Sequence, residues 1–191
     1  MIKKLTIAVL SLLMVSSVAF ASGAKDIKLP GEMKSGTSDL LLNGSGIRTK
    51  KIGFMTLDLY VAGLYLNQKS TDVETMTVKD EGMAIKLHIT SKMINKKRMS
   101  KATNEGFEKS TGGNTAPIKA EISDMINVFK DGIKVGDVYD LVYVPQVGTQ
   151  IFKNGQLKTT VKGLEFKKAL FGIWIGDKAV QKDLKTGMAG A

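Results

Sequence analysis

The chain contains no cysteine and one histidine, His88, among 191 residues. The first absence excludes disulfides, thiolate metal sites and a cysteine nucleophile. The second excludes any metal site or acid–base pair built from two histidines. A serine triad would need His88 beside an exposed serine on a tight turn, and there is no G-x-S-x-G elbow. His88 sits on the polar side of an alternating segment, which gives it a structural or surface role. Long basic runs are also missing. The 28 basic residues are scattered singly or in short groups such as Lys50-Lys51, Lys96-Lys97-Arg98 and Lys167-Lys168. They are not interleaved with aromatics, so they read as solvated surface and exclude nucleic acid as a partner.

Only one stretch is long and apolar. Lys3 and Lys4 precede Leu5 to Phe20, and Ala19-Phe20-Ala21 has the small-x-small form that signal peptidase reads. The run is shorter than the ~20 residues that span a bilayer, and polar Ser22 to Lys28 follows it directly. Residues 1–21 are therefore expected to be a signal peptide cleaved after Ala21, giving a periplasmic or secreted protein with no transmembrane segment. With no cysteine after the run, lipid anchoring is not expected. Removing Lys3 and Lys4 from the 28 basic residues leaves 26 against 18 acidic ones, a net charge of +8.

The remaining length suits one domain. Residues 22–37, with Pro30 and Gly31, read as an irregular lead-in, and the domain is expected over 38–191. Leu40-Leu41-Leu42 before Asn43-Gly44-Ser45-Gly46 suggests a strand that bends or turns at the glycines. Phe54 to Leu66 is apolar enough for a long central strand. Ala84 to Thr90 alternates, with Ile85, Leu87 and Ile89 on one face.

Helical spacing follows over Ile94 to Ser110, where Met99, Ala102, Gly106 and Phe107 share a face and Lys101, Glu105 and Lys109 form a charge ladder. A second helix begins near Pro117 and is expected to end at Gly132. Val138 to Val144 is a strand, and Asn154-Gly155 predicts a type I′ hairpin joining Gln150–Lys153 to Leu157–Val161. Leu164 to Ile175 and a short segment around Val180 to Thr186 are helical. Strands, two helices, strands and helices in that order predict an α+β fold, a largely antiparallel sheet covered on one face by helices.

Chemistry-bearing motifs are few. Glu105 with Glu108, and Glu121 with Asp124, lie among lysines at spacings ordinary for a solvated face. Gly44-Ser45-Gly46 lacks both the third glycine of a dinucleotide fingerprint and the lysine of a P-loop, and reads as a turn. No metal or cofactor is implied. Arg48 and Tyr60 stand apart, because a hairpin-like return would bring them together. Facing an apolar space between sheet and helices, a guanidinium and a phenol would select a long apolar ligand with a carboxylate or enolate-like oxygen. The alternative is a surface arginine and a core tyrosine.

Three ordered stretches, Leu42 to Arg48, Leu59 to Leu66 and Ala169 to Lys178, resemble the chalcone isomerase-like proteins, particularly their bacterial exported branch. Tyr143-Val144-Pro145, Gly148-Thr149 and Asn154-Gly155 add to the likeness. The resemblance implies an open-faced β-sandwich, a large antiparallel sheet with helices on one face and a ligand cleft between them. Arg48 matches the arginine that stabilises the enolate in the plant isomerases. Tyr60 stands where those enzymes carry a threonine and Ile173 where they carry a threonine or serine. Met99 and Gly106 fall near the positions of their helical tyrosine and asparagine.

The isomerase set is thus not retained apart from the arginine. Fatty-acid-binding relatives pair that arginine with a tyrosine, as Tyr60 would. The resemblance therefore implies a non-catalytic, exported binding protein for a fatty acid or similar amphipathic carboxylate, held by Arg48 and Tyr60 against Ile173, Trp174 and Met99. Two alternatives remain: an intramolecular lyase using the retained arginine, or a partner-binding protein whose cleft is filled by its own side chains, Trp174 and Phe171 among them. No protein partner can be named from the sequence.

Overall fold

The computed structural model describes residues 23–191, so the expected signal peptide and Ser22 lie outside the described residues. Seven strands form one antiparallel sheet in chain order: β1 (Glu32–Ser35), β2 (Ser38–Ile52), β3 (Met55–Leu66), β4 (Met83–Ile89), β5 (Val138–Val144), β6 (Gly148–Lys153) and β7 (Gln156–Val161). Helix α1 (Val73–Val78) follows β3, while α2 (Lys96–Ser110) and α3 (Lys119–Asn127) join β4 to β5. Helices α4 (Leu164–Ile175) and α5 (Lys182–Met188) close the chain. This is the expected α+β, open-faced arrangement.

Alternation fixes which face the helices cover. Ala62, Leu64 and Leu66 of β3, Ile85, Leu87 and Ile89 of β4, and Tyr139, Leu141 and Tyr143 of β5 share one core with Met99, Phe107, Met125 and α4. The polar-facing His88 lies on the other face, as expected, and burial together with nearby Lys86 lowers its pKa. Asn154 and Gly155 both adopt positive φ (52° and 77°), the backbone a two-residue type I′ turn demands.

Several expectations are corrected. The lead-in is not irregular throughout: Glu32–Ser35 pairs with Ser38–Leu41 across a two-residue loop that Gly36 enters at φ 58°. The residues before it cross the sheet's second face, where Tyr65 donates to the Pro30 carbonyl at 2.9 Å above a small core of Leu40, Tyr65, Ala84 and Val142. Ordering therefore begins before residue 38. Gly44-Ser45-Gly46 is not a turn, since β2 runs through it. Its glycines are needed because α5 crosses there. A Cβ on Gly44 would run into the Gly187 carbonyl, and one on Gly46 would stand 3.0 Å from Leu184.

Asn43, the extra residue of a β-bulge, is buried and donates to the carbonyls of Ser70 and Met188, both at 2.9 Å. Phe54 falls outside β3, in the turn after β2. The second helix stops at Asn127, short of Gly132, and the last one begins at Lys182 rather than Val180. Nor is every basic group solvated. Lys167 is fully buried, its ammonium donating to the carbonyls of Met76, Thr77 and Lys79 at 2.9, 2.8 and 2.7 Å.

Candidate functional site

Arg48 and Tyr60 are direct cross-strand partners on β2 and β3. The register shifts next to them: Arg48 opposes Tyr60 and Thr49 opposes Asp58, leaving Leu59 as an extra residue on β3. Such a bulge breaks the alternation, and both Leu59 and Tyr60 are buried on the helical side. Tyr60 continues the inward alternation of Ala62, Leu64 and Leu66, and the bulge adds Leu59 to the same side, which no periodic reading of Phe54 to Leu66 contains.

That space is a cavity of about 80 Å³. All five residues expected to bind ligand line it: Arg48, Tyr60, Met99, Ile173 and Trp174. Helix α2 delivers Met99 because Asn95 caps it, accepting the Arg98 N–H at 3.0 Å. Ile94 before the cap and Met99 one turn inside occupy the two positions of a hydrophobic staple, and both line the cavity. Helix α4 delivers Ile173 and Trp174. Leu59, Met125, Phe129 and Tyr139 complete an almost wholly apolar wall.

Besides the buried Thr103, polar groups sit at two places. At the first, the Trp174 indole N–H donates to the Tyr60 hydroxyl at 3.0 Å. Burial raises the Tyr60 pKa, opposed by the Trp174 hydrogen bond and the Arg48 charge. Tyr60 is thus held as a neutral phenol, its oxygen already accepting and its proton free for an anion. Arg48 is half-buried. Its Nη1 donates to the Thr49 carbonyl and, at 3.0 Å, to Gln181 Oε1. Gln181, just before α5, also accepts the Thr49 N–H at 2.9 Å and donates to the Ile47 carbonyl at 3.2 Å. Sequence reasoning missed this residue, which pins β2 opposite the bulge and holds the guanidinium. No carboxylate pairs with Arg48 among the described residues.

The second place is Tyr139, fully buried on β5, whose hydroxyl has no hydrogen-bond partner among the described residues. A buried orphan hydroxyl is costly. It lines the same cavity as Arg48.

Gly106 and Ile173 are taken up by packing against each other. Ile173 fills the space over Gly106, where a Cβ would meet Cγ2 of Ile173 at 2.9 Å. Phe171 is fully buried in the main core and does not line the cavity. Among the described residues the site offers a cation without a carboxylate partner, a neutral phenol and apolar walls, and no carboxylate or histidine lines it.

Three comparisons bear on this arrangement. The family described as chalcone isomerase-like matches residues 21–190. No curated protein matches the chain. Among solved structures, the crystal structure of a fatty-acid binding protein of Arabidopsis thaliana superposes with a TM-score of 0.67. At 18% identity over 84% of this chain and 90% of that one, the likeness is one of fold.

Proposed function

We propose that this chain, which belongs to the chalcone isomerase-like family, is a non-catalytic binding protein for a fatty acid or similar amphipathic carboxylate. One observation carries the reading: Arg48, without a carboxylate partner among the described residues, lines an apolar cavity beside the Tyr60 phenol. Guanidinium and phenol together suit a carboxylate, and the apolar wall suits an acyl chain. The fatty-acid binding protein with this fold supports the same class of ligand. Tyr139 offers a second hydrogen bond within the cavity.

The cavity's 80 Å³ falls below the ~300 Å³ of ordinary ligand pockets. A long acyl chain therefore enters only if the wall yields. Met99 and Met125 are suited to that, being unbranched and adaptable. The same volume favours a second reading, a cleft filled by its own side chains in a protein that binds a partner. An isomerase reading is weakened by Gly106 and Ile173, which close against each other where polar groups would stand.

The protein is further proposed to belong to the exported bacterial branch and to act in the periplasm or outside the cell after cleavage at Ala21. N-terminal sequencing of the mature protein tests the export. For the ligand, organic extraction of purified protein followed by mass spectrometry is expected to yield an acyl carboxylate, and Arg48→Ala to yield none. Wild type and variant both empty, with no carboxylate raising the melting temperature, would decide for the filled cleft.

A further inference from the structure

The β2–β3 hairpin outruns its neighbours. β1 pairs β2 only as far as Leu41, and β4 pairs β3 only from Tyr60 onward. Thr49–Ile52 and Met55–Asp58 therefore pair only with each other, four rungs of a two-stranded ribbon reaching about 13 Å beyond the sheet. Its turn is Gly53-Phe54, with Gly53 at φ 59°. That geometry needs the glycine and makes no demand for a phenylalanine beside it. Yet Phe54 is 100% exposed, flanked by Ile52 at 40% and Met55 at 52%. Single exposed apolar side chains are ordinary, but three within four consecutive residues at the tip of a projection are not.

The surroundings of the tip are basic. Lys50 and Lys51 lie on the ribbon itself, both exposed. The strand register places the Thr90–Asn95 loop, the segment before β5 and the Asn154-Gly155 turn at the same edge of the sheet. Thr90 ties the first of these to the ribbon's base, its N–H donating to the Leu59 carbonyl at 3.0 Å. Lys92, Lys96, Lys97 and Lys134 are exposed on that edge. Against them stand Asp58 and Asp131, since Asp137 is paired with Lys153 at 3.0 Å.

We infer that this edge docks the protein on an anionic lipid bilayer, with Ile52, Phe54 and Met55 inserted at the level of the headgroups and the lysines against lipid phosphates. An apolar point ringed by cations matches that surface in both hydrophobicity and charge, and insertion of ~5–10 Å lies within the ribbon's length. The inference is independent of what fills the cavity. It does give the cavity an address, because Arg48 and Tyr60 form the first rung below the ribbon.

Co-sedimentation with vesicles tests it. Vesicles of equimolar phosphatidylglycerol and phosphatidylcholine are expected to capture the protein at low salt, and vesicles of phosphatidylcholine alone are not. High salt should release it. Phe54→Asp is expected to weaken binding at least ~10-fold and Lys50→Glu/Lys51→Glu by ~25-fold, about 5-fold or more per lysine. Val147→Asp, a like change at an exposed apolar residue in the turn at the opposite edge of the sheet, should bind as wild type does, which separates docking at the tip from a general effect of added negative charge. Since the ribbon touches no core, circular dichroism of these tip variants should be unchanged. A tip variant, Phe54→Trp, should show fluorescence quenching by brominated lipid. No capture by the anionic vesicles overturns the inference. So does capture indifferent to Phe54→Asp, or loss of self-association in the variants without any loss of vesicle binding.

Discussion

The Trp174 indole N–H and the Tyr60 hydroxyl, 114 residues apart in the chain, are joined by a buried 3.0 Å hydrogen bond that ties α4 to the bulge of β3. Tyr60→Phe leaves the indole donor without an acceptor in an apolar cavity. It is expected to cost about 1–3 kcal/mol of stability. Trp174→Phe removes the donor and leaves a hydroxyl that is free to rotate toward Arg48 or a ligand. A double-mutant cycle by urea unfolding should give a coupling of about 1 kcal/mol; additivity of the two variants would show the bond to be energetically empty.

Gln181 offers a test of the anion site that leaves Arg48 in place. Its Oε1 receives both Arg48 Nη1 and the Thr49 N–H. Gln181→Glu keeps that acceptor and adds a carboxylate beside the guanidinium, neutralising the cation at the cost of the amide's donation to the Ile47 carbonyl. Affinity for an acyl carboxylate should fall about 10-fold, while affinity for the matching uncharged alcohol is unchanged. Titration calorimetry with the pair checks this. Equal loss for both ligands would mean that Gln181 acts only on the fold.

Gly106 and Ile173 form a matched pair across α2 and α4. Alanine in the middle of a helix normally gains up to about 1 kcal/mol over glycine. Here its Cβ would press on Ile173, so Gly106→Ala is expected to destabilise by about 1–3 kcal/mol instead. In an Ile173→Ala background, which removes all three atoms that crowd the new Cβ, the sign should move back toward neutral or favourable. Denaturant midpoints of the four proteins decide it, and a stabilised Gly106→Ala single variant would sink the packing argument.

What could be read from the sequence was local. Asn154-Gly155 specifies its turn with its own backbone, and Ile85, Leu87 and Ile89 declare one buried face by alternation alone. Arg48 and Tyr60 were placed together by a simple hairpin argument, and the register bears that out. What could not be read depends on distant groups. The Leu59 bulge lies opposite Thr49, which Gln181 holds from 132 residues away. Helix α1 is rich in β-branched residues and has poor helix propensity. Sequence reasoning missed this helix, which Asp72 caps by accepting the Thr75 N–H at 3.3 Å and hydroxyl at 2.6 Å. Lys167 looked solvated because the carbonyls that receive it lie some ninety residues away.

Lys167 is therefore a sharp probe of that contact. Its three N–H groups satisfy three carbonyls at and beyond the end of α1. Lys167→Met preserves most of the volume and strands these acceptors. A loss of about 3 kcal/mol is expected, with α1 becoming the first segment to exchange its amide hydrogens. Lys168→Met, next along the helix but only paired with exposed Glu165, should change stability by less than about 0.5 kcal/mol.

The alkaline limb of stability should have two slopes of opposite sign. Burial lowers the Lys167 pKa to about 8, against the pull of Asp80 and Glu81. The unfolded chain, with lysine near ~10.4, then binds the extra proton between these values, and stability should rise with pH from about 8 upward. The tyrosines act the other way. Burial raises Tyr60, Tyr65 and Tyr139, and raises Tyr143 to about 12 with help from the Asp80 carboxylate that accepts its hydroxyl. An unfolded tyrosine ionises near ~10, so above that pH the folded state holds more protons and stability must fall. A maximum near pH 10 is expected in a series of urea unfolding curves, with tyrosinate absorbance appearing only as the protein unfolds. In Lys167→Met the rising limb should vanish and the falling one persist. A tyrosinate signal developing near pH 10 in the folded protein would show that at least one of the four phenols is solvated.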